Sequence, residues 1–458
     1  MTQQFDALIV GGGQAGPSLA VRLAKAGRKV ALVERHLLGG TCVNTGCTPT
    51  KALVASAHAA HIARRGADFG VKTGPVTVDM HAVKARMDAI VTKSRTGLEK
   101  WLQSTPNCTV VRGQAQFTGP HAMQVGDEVL KAEQIFLNVG ARPAIPAMPG
   151  LDSVPFLTST GILALEELPQ HLVVVGGGYV GLEFAQIFRR FGSEVTVIEK
   201  QSRLASHEDE DTSAAIREIF TGEGINLQVN ANCIHLEQRD DGVSVGVECN
   251  EGAPHVEGSH VLLAVGRVPN TADLNLAAAG VEANDKGFIR VNDELQTTTP
   301  GVYALGDCNG HGAFTHTSYN DYEIVADNLL NGAARKVSDR ISTYAIYIDP
   351  PVARAGMSEA EVRKSGKPAL MGVRPMTRVS RAIEKSETDG FMKVLVDAET
   401  KRILGATVFG VGGDEAIHCI LTAMYARQPA SLLTHSVHIH PTVAELIPTV
   451  FGELKPLT

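Results

Sequence analysis

The chain has 458 residues, 44% hydrophobic and 20% charged, with a formal net charge of -7. That length fits about three domains of roughly 100 to 200 residues each, and the composition excludes a disordered or fibrous chain. The mildly acidic balance offers no basic face for a phosphate backbone, which speaks against nucleic acid as a partner.

No apolar stretch reaches the roughly 18 residues of a spanning helix, and no secretory leader is legible at the N-terminus. No membrane association is expected, and the location expected is cytoplasmic. Of the seven cysteines, Cys108, Cys233, Cys249, Cys308 and Cys419 are scattered, unlike the dense, even usage of an extracellular disulfide framework.

The first element is an apolar run that ends in glycines, Asp6-Ala-Leu-Ile-Val-Gly11-Gly-Gly13-Gln-Ala-Gly16. It recurs as His171-Leu-Val-Val-Val-Gly176-Gly-Gly178-Tyr-Val-Gly181, each glycine shifted by 165 residues. The same shift relates Gly27-Arg-Lys-Val-Ala-Leu-Val-Glu34 to Gly192-Ser-Glu-Val-Thr-Val-Ile-Glu199, so two complete strand-helix-strand units are duplicated. In such a unit the first glycine permits a tight turn, the second lets backbone approach a pyrophosphate, and the third lets helix pack on strand. Helix amides then hold the phosphates, and a carboxylate at the tip of the second strand, Glu34 or Glu199, accepts from the ribose hydroxyls. Two dinucleotide sites in one chain imply electron transfer between two cofactors, most simply FAD and a nicotinamide.

Between the repeats, Gln134-Ile-Phe-Leu-Asn-Val-Gly140 is a buried-type strand, and Val261-Leu-Leu-Ala-Val-Gly266 is its counterpart after the second. Gly301-Val-Tyr-Ala-Leu-Gly306-Asp307 is a further short strand, ending at an Asp where an open α/β sheet places ligands. From Tyr344 onward, alternating runs such as Met392–Asp397 and a helical stretch over 414–427 predict an α+β domain without a phosphate signature. The expected fold is therefore α/β: two Rossmann-like dinucleotide-binding domains and a C-terminal α+β domain.

Gly39-Gly-Thr-Cys42-Val-Asn-Thr-Gly-Cys47-Thr-Pro-Thr-Lys51 places two thiols with four residues between them, directly after the first unit. A zinc site would need further ligands at similar spacing, and His36, His58 and His61 read more readily as helix-surface residues than as ligands; no metal site is assigned. Two buried, unlinked cysteines remain the plain alternative to a redox pair.

With these motifs in hand, the sequence resembles the pyridine nucleotide-disulfide oxidoreductases, which include dihydrolipoamide dehydrogenase, glutathione reductase and mercuric reductase. The resemblance spans essentially the whole chain: GGTCVNTGCTPTK is similar to the redox-disulfide signature, GGGYVGLEFA to the nicotinamide motif, and TTTPGVYALGD to the second FAD motif. It implies an FAD-binding domain in residues 1–147 and 269–338, an NAD(P)-binding domain in 148–268, and a dimerisation domain in 339–458.

Carried over by position, the resemblance makes Cys47 the charge-transfer thiolate against the flavin and Cys42 the outer thiol that attacks substrate. Lys51 and Glu183 become an ion pair by the flavin. FAD contacts fall to Gly11, Gly13, Gly16, Glu34, Gly40, Thr41, Lys51, Ala115, Asp307 and Thr315, the last standing where the family often has alanine. Gly176, Gly178, Gly181, Glu199 and Gly266 would hold the nicotinamide nucleotide.

Near the C-terminus, His438-Ile-His440-Pro441-Thr-Val-Ala-Glu445 resembles the acid/base element in which a His, oriented by a Glu, reaches the partner subunit's disulfide. His440 is the assigned proton carrier and a packed interface residue its alternative, with His435 and His438 as bystanders. An obligate homodimer with shared active sites follows from the resemblance.

Glu199 favours NADH, while Lys200 and Arg203 leave NADPH open. The implied activity moves hydride from NAD(P)H to FAD, then electrons to the Cys42/Cys47 disulfide and on to a small-molecule or protein disulfide, or runs in reverse as a dihydrolipoamide dehydrogenase. A mercuric or other thiophilic metal-ion reductase is the alternative, although a C-terminal cysteine pair and an N-terminal metal-binding module are missing. Pro49-Thr50-Lys51 and Asp349-Pro350-Pro351 are more similar to bacterial reductases linked to metal or reactive-chlorine stress. A non-enzymatic redox or metal sensor would need neither His440 nor Glu445.

Overall fold

The structure is a computed structural model, describing residues 1–232, 234–240, 242–247 and 254–457. Cys233 and Cys249 lie outside the described residues.

The first repeat is β1 (Thr2–Val10), α1 (Ala15–Lys25) and β2 (Val30–Glu34). All of β2 is buried, as in a parallel sheet covered on both faces. Two helices end to end, α2 (Gly40–Thr45) and α3 (Cys47–Arg64), carry the cysteines, followed by the long α4 (Met80–Gln103). Then come β3 (Cys108–Arg112), β4 (Ala115–Gly119), β5 (Ala122–Val125) and β6 (Glu128–Leu137). The sheet order is β3-β2-β1-β6-β5-β4, with β1 parallel to both β2 and β6.

After β7 (Ala141–Pro143) and β8 (Leu157–Thr158), the second repeat runs β9 (His171–Val175), α5 (Tyr179–Phe191), β10 (Glu194–Ile198), α6 (Glu210–Gly222) and β11 (Asn226–Gln228). A meander of β12 (His235–Arg239), β13 (Gly242–Gly246) and β14 (His255–Gly258) precedes β15 (His260–Leu263). The five-stranded sheet is ordered β11-β10-β9-β15-β8. The expected closing strands are therefore present, but they stop at Leu137 and Leu263, and the glycines after them, Gly140 and Gly266, turn at φ +65° and +124°. These turns lie at the carboxyl ends of the strands, where a doubly wound sheet binds ligands.

The duplication extends to atomic detail. Gly11 and Gly176 have φ of +106° and +114°, and a Cβ on them would sit 2.2 Å from the Asn138 carbonyl oxygen and 2.4 Å from that of Ala264. A Cβ on Gly16 or Gly181 would lie 2.1 or 2.0 Å from the carbonyl of Gly11 or Gly176. Both turns thus close on backbone, leaving no room for a side chain.

The chain returns through β16 (Arg267–Pro269), antiparallel to β7, and β17 (Val302–Ala304), parallel to β6, before α7 (Thr315–Asn331). The C-terminal part is a mostly antiparallel sheet of β18 (Thr343–Ile346), β19 (Val352–Gly356), β20 (Ala369–Pro375), β21 (Phe391–Asp397), β22 (Ile403–Phe409) and β23 (Lys455–Pro456), ordered β18-β19-β22-β21-β20-β23. Its main helix, Gly413–Tyr425, matches the stretch expected over 414–427 except at its end, where the chain leaves the helix after Tyr425 and Arg427 turns at φ +53°. Ion pairs join this sheet to the second repeat: the buried Arg354 with the buried Glu208 at 2.9 Å, and the buried Lys393 with the buried Asp209 at 3.0 Å and with the exposed Asp211 at 2.8 Å. Paired in this way, charges with almost no solvent access avoid the several kcal/mol that each would cost alone.

Candidate active site

One cavity of about 650 Å³ is lined by Gly11, Gly13, Glu34, Gly40, Thr41, Ala115 and Asp307 and also by Cys42, Cys47, Lys51, Glu183 and Thr315. The expected FAD contacts and the expected redox residues thus share one space. Gly16 packs the turn from behind, donating its amide to Asn138 Oδ1 at 3.1 Å.

Cys47 opens α3, so its sulfur meets the positive end of a helix dipole. Lys51 follows one turn later and pairs with Glu183 of α5, Nζ to Oε2, at 2.6 Å, with its ammonium 4.7 Å from the centre of the Tyr347 ring. The Thr315 hydroxyl, at the start of α7, lies 3.3 Å from Cys47 Sγ. Cys47 is pulled down to about 6, chiefly by a hydrogen bond from Cys42, with the Thr315 hydroxyl and Lys51 ammonium assisting and burial and Glu183 opposing. That same contact, together with burial, pushes the Cys42 thiol strongly up. The pair therefore releases one proton readily, and the charge settles on Cys47. The hydroxyl of Thr315, whose side-chain effect was left open by the sequence, is a donor to that thiolate.

Asp307 sits on the turn after β17; burial pushes its carboxyl up, with Arg267 opposing from 3.8 Å. Glu34 accepts from the Gly12 and His36 amides, each at 2.7 Å. Glu199 repeats this with Gly177 at 2.6 Å and Gln201 at 2.7 Å. Both carboxylates are thus held by backbone amides. A Cβ at Gly178 would meet nothing within 4 Å, so the helix N-terminus behind Glu199 is open. Gly181 packs beneath that turn, and Gly266 turns the chain after β15 without lining the large cavity. Arg203 bonds the Ser206 carbonyl at 3.2 Å and approaches Glu210 at 3.6 Å.

His440 and Glu445 form a pair of their own, Nδ1 lying 3.0 Å from both carboxylate oxygens. The His440 side chain is 74% exposed and does not line the cavity of its own chain. His58 is not an idle helix-surface residue: its Nδ1 lies 2.8 Å from Asp349.

Several residues at the site escaped the sequence reading. Asn138 braces Gly16 and the Leu305 carbonyl at 3.0 Å; its signal was an amide at the end of an otherwise apolar strand. Asp321, 1% exposed, accepts from the Gly306 amide at 2.7 Å and so shapes the Asp307 turn. Tyr179, within the second glycine motif, and Phe314, whose rings are 5.7 Å apart, both line the cavity, a place that neither aromatic side chain signals in the sequence. Among the described residues no group of three or more His, Cys, Asp or Glu forms a metal-ligating cluster, and no helix is long and apolar enough to cross a membrane.

Residues 5–321 match the family described as pyridine nucleotide-disulphide oxidoreductase, and 342–451 match its dimerisation domain. The chain belongs to this family. It is 36% identical to the probable pyridine nucleotide-disulfide oxidoreductase RclA of Escherichia coli (strain K12), over 99% of this chain and 100% of that protein. To the mercuric reductase of Staphylococcus aureus it is 33% identical, over 96% of this chain and 81% of that protein. The solved Cu(II) complex of the HOCl-induced flavoprotein disulfide reductase RclA from Escherichia coli superposes with a TM-score of 0.90 at 35% identity, covering 98% of this chain and 99% of that one.

As a member of the pyridine nucleotide-disulphide oxidoreductases, the protein is an FAD-dependent enzyme that also uses a pyridine nucleotide, and its C-terminal part is the family's dimerisation domain. The chain's own geometry fits FAD. The cavity joins a side-chain-free glycine turn, a ribose-type carboxylate at Glu34 held by two amides and a cationic end at Lys51, as an adenine dinucleotide with a ring that gains negative charge on reduction requires.

Proposed function

We propose that the protein is an NADH-preferring reductase in which Cys42 and Cys47 form the disulfide that passes electrons to an external acceptor. The observation that carries this reading is that Cys42, Cys47, Lys51, Glu183 and Thr315 line one cavity together with Glu34, with Lys51 paired to Glu183 and the Thr315 hydroxyl beside Cys47. In this reading residues 1–147 and 269–338 hold FAD, 148–268 hold the nucleotide and 339–458 form the dimer interface.

FAD, when bound, accepts hydride from the nicotinamide and passes two electrons to the disulfide. Lys51, held by Glu183, places positive charge near the Cys47 thiolate and would stabilise the negative charge that bound FAD gains on reduction. Cys47 holds the negative charge while Cys42, kept protonated until needed, becomes the thiol that enters the mixed disulfide. His440, its Nδ1 fixed by Glu445, carries the proton for the leaving thiol of the partner's site, which accords with its exposure and its absence from its own chain's cavity. Glu199 favours NADH, since a carboxylate locked by two amides accepts from a ribose 2'-hydroxyl and repels a 2'-phosphate. The enzyme is assigned to the cytoplasm, where a reducing environment keeps its scattered thiols free.

A second reading, reduction of a thiophilic metal ion, is favoured by the mouth of the site, where the Cys42 and Cys47 thiols are both free and soft enough to hold Cu or Hg. The relatives named for mercury and for a Cu(II) complex point the same way. Anaerobic oxidation of NADH by the holoenzyme with lipoamide, other disulfides, Cu(II) or Hg(II) as acceptor separates the readings. Cys42→Ser should abolish disulfide turnover and leave FAD bound; unchanged turnover in that variant refutes the mechanism.

A further inference from the structure

Two features of the sequence have no part in the chemistry so far: His58 on α3 and the Asp349-Pro350-Pro351 turn before β19. They meet in one polar clamp. Along α3, Cys47, Lys51 and His58 are spaced by four and seven residues, so they share a face; along α5, Glu183, Gln186 and Arg190 do the same at three and four. The segment from Tyr347 to Asp349 lies across both helices.

Its contacts are specific. The Tyr347 amide donates to Glu183 Oε1 at 2.9 Å, leaving Oε2 for Lys51 at 2.6 Å. The Asp349 amide donates to Gln186 Oε1 at 2.7 Å, and Gln186 Nε2 donates back to the Asp349 carbonyl at 2.8 Å. The Asp349 carboxylate then takes His58 Nδ1 at 2.8 Å and the guanidinium of Arg190. Arg190, 6% exposed, is completed by Glu223 at 2.7 Å. One short segment of the C-terminal domain therefore orients the glutamate of the flavin-side ion pair and fastens the helices that bear both of its members.

We propose that Asp349 is a positioning residue: through His58 on one side and Gln186 and Arg190 on the other, it holds α3 and α5 in the register that keeps Lys51 against Cys47. The proposal rests on the reading of Cys47 as the flavin-side thiolate. Direct action of charge is a poor alternative. His58 is eleven residues from Cys47 on one helix, about 16 Å at 1.5 Å per residue, beyond the Debye length of roughly 8 to 10 Å at ordinary salt. The groups that face Cys47 itself are Cys42, Lys51, Glu183, Thr315, Tyr179 and Tyr347, and none belongs to the far end of the clamp. A change made at His58 reaches Cys47 only by moving Lys51 and Glu183.

The test uses the FAD-loaded, full-length Cys42→Ser enzyme, in which Cys47 cannot be oxidised to the disulfide, and follows the long-wavelength thiolate-flavin absorbance against pH. Adding Asp349→Asn or His58→Ala should raise the midpoint by about half a pH unit, so that the band at the parent's midpoint falls about twofold. His58→Asn, whose amide can donate from nearly the place of Nδ1, should restore the parent midpoint. Unmoved midpoints in both Asp349→Asn and His58→Ala overturn the proposal, as does a shift in His58→Asn equal to that in His58→Ala, which would mean charge rather than position. Should Asp349→Asn fail to fold, the two His58 variants, at a side chain 45% exposed, decide alone. A parent with no thiolate band would instead overturn the reading of Cys47, and the clamp proposal with it.

Discussion

Replacing Thr315 by valine exchanges one hydroxyl for one methyl at nearly constant volume, at a site where the hydroxyl lies 3.3 Å from Cys47 Sγ. A hydrogen bond to a charged group is worth about 1.5 to 3 kcal/mol when buried. Cys42 and Lys51 still hold the same charge when this bond is lost, which limits the effect to roughly 1 kcal/mol, or about 0.7 pH unit at 1.36 kcal/mol per unit. Starting from a thiol held at about 6, the reduced parent enzyme is about nine-tenths thiolate at pH 7, and the variant about two-thirds. The assay is the rate of alkylation of Cys47 by iodoacetamide in the dithiothreitol-reduced holoenzyme, followed on its peptide by mass spectrometry from pH 5 to 9. The midpoint should move upward while FAD content and melting temperature stay near the parent's, because the methyl occupies the hydroxyl's space. An unchanged or lowered midpoint refutes the view that this hydroxyl donates to the thiolate.

Because the folded value of Cys47 is depressed, its contribution to the stability of the reduced enzyme is present above the ordinary thiol value near 8.5 and is lost as pH falls through about 6; melting of the reduced but not the oxidised protein should show this slope. Gly11→Ala should cost more than about 3 kcal/mol or prevent folding, since its Cβ would stand 2.2 Å from the Asn138 carbonyl at a φ of +106°; expression with FAD retained and an unaltered melting curve would contradict this. On the proposed role of Glu199, Glu199→Ala should lower kcat/KM for NADH relative to NADPH by about tenfold, as expected for roughly 1.4 kcal/mol of lost discrimination. His440→Gln should leave reduction of the flavin by NADH intact in stopped flow while steady-state disulfide turnover falls at least a hundredfold; equal loss in both phases would remove His440 from the dithiol half-reaction.

The sequence by itself determined the duplicated architecture and the place of the close cysteine pair after its first unit. Both are local: a turn too crowded for any Cβ demands glycine at Gly11 and Gly176, and a helix that begins at Cys47 demands only its own neighbours. The carboxylates Glu34 and Glu199 were legible for the same reason, since the strand-helix-strand spacing fixes them, whereas Lys51 was marked only by the family resemblance. What only the tertiary structure decided was which distant side chains complete these units. Asn138 behind the first turn, Asp321 beneath Asp307, the Thr315 hydroxyl beside Cys47, and Asp349 joining His58 to Arg190 all bridge elements far apart in the chain. Such contacts have no period and no fixed offset, so they become visible only when burial forces each polar group to find its partner.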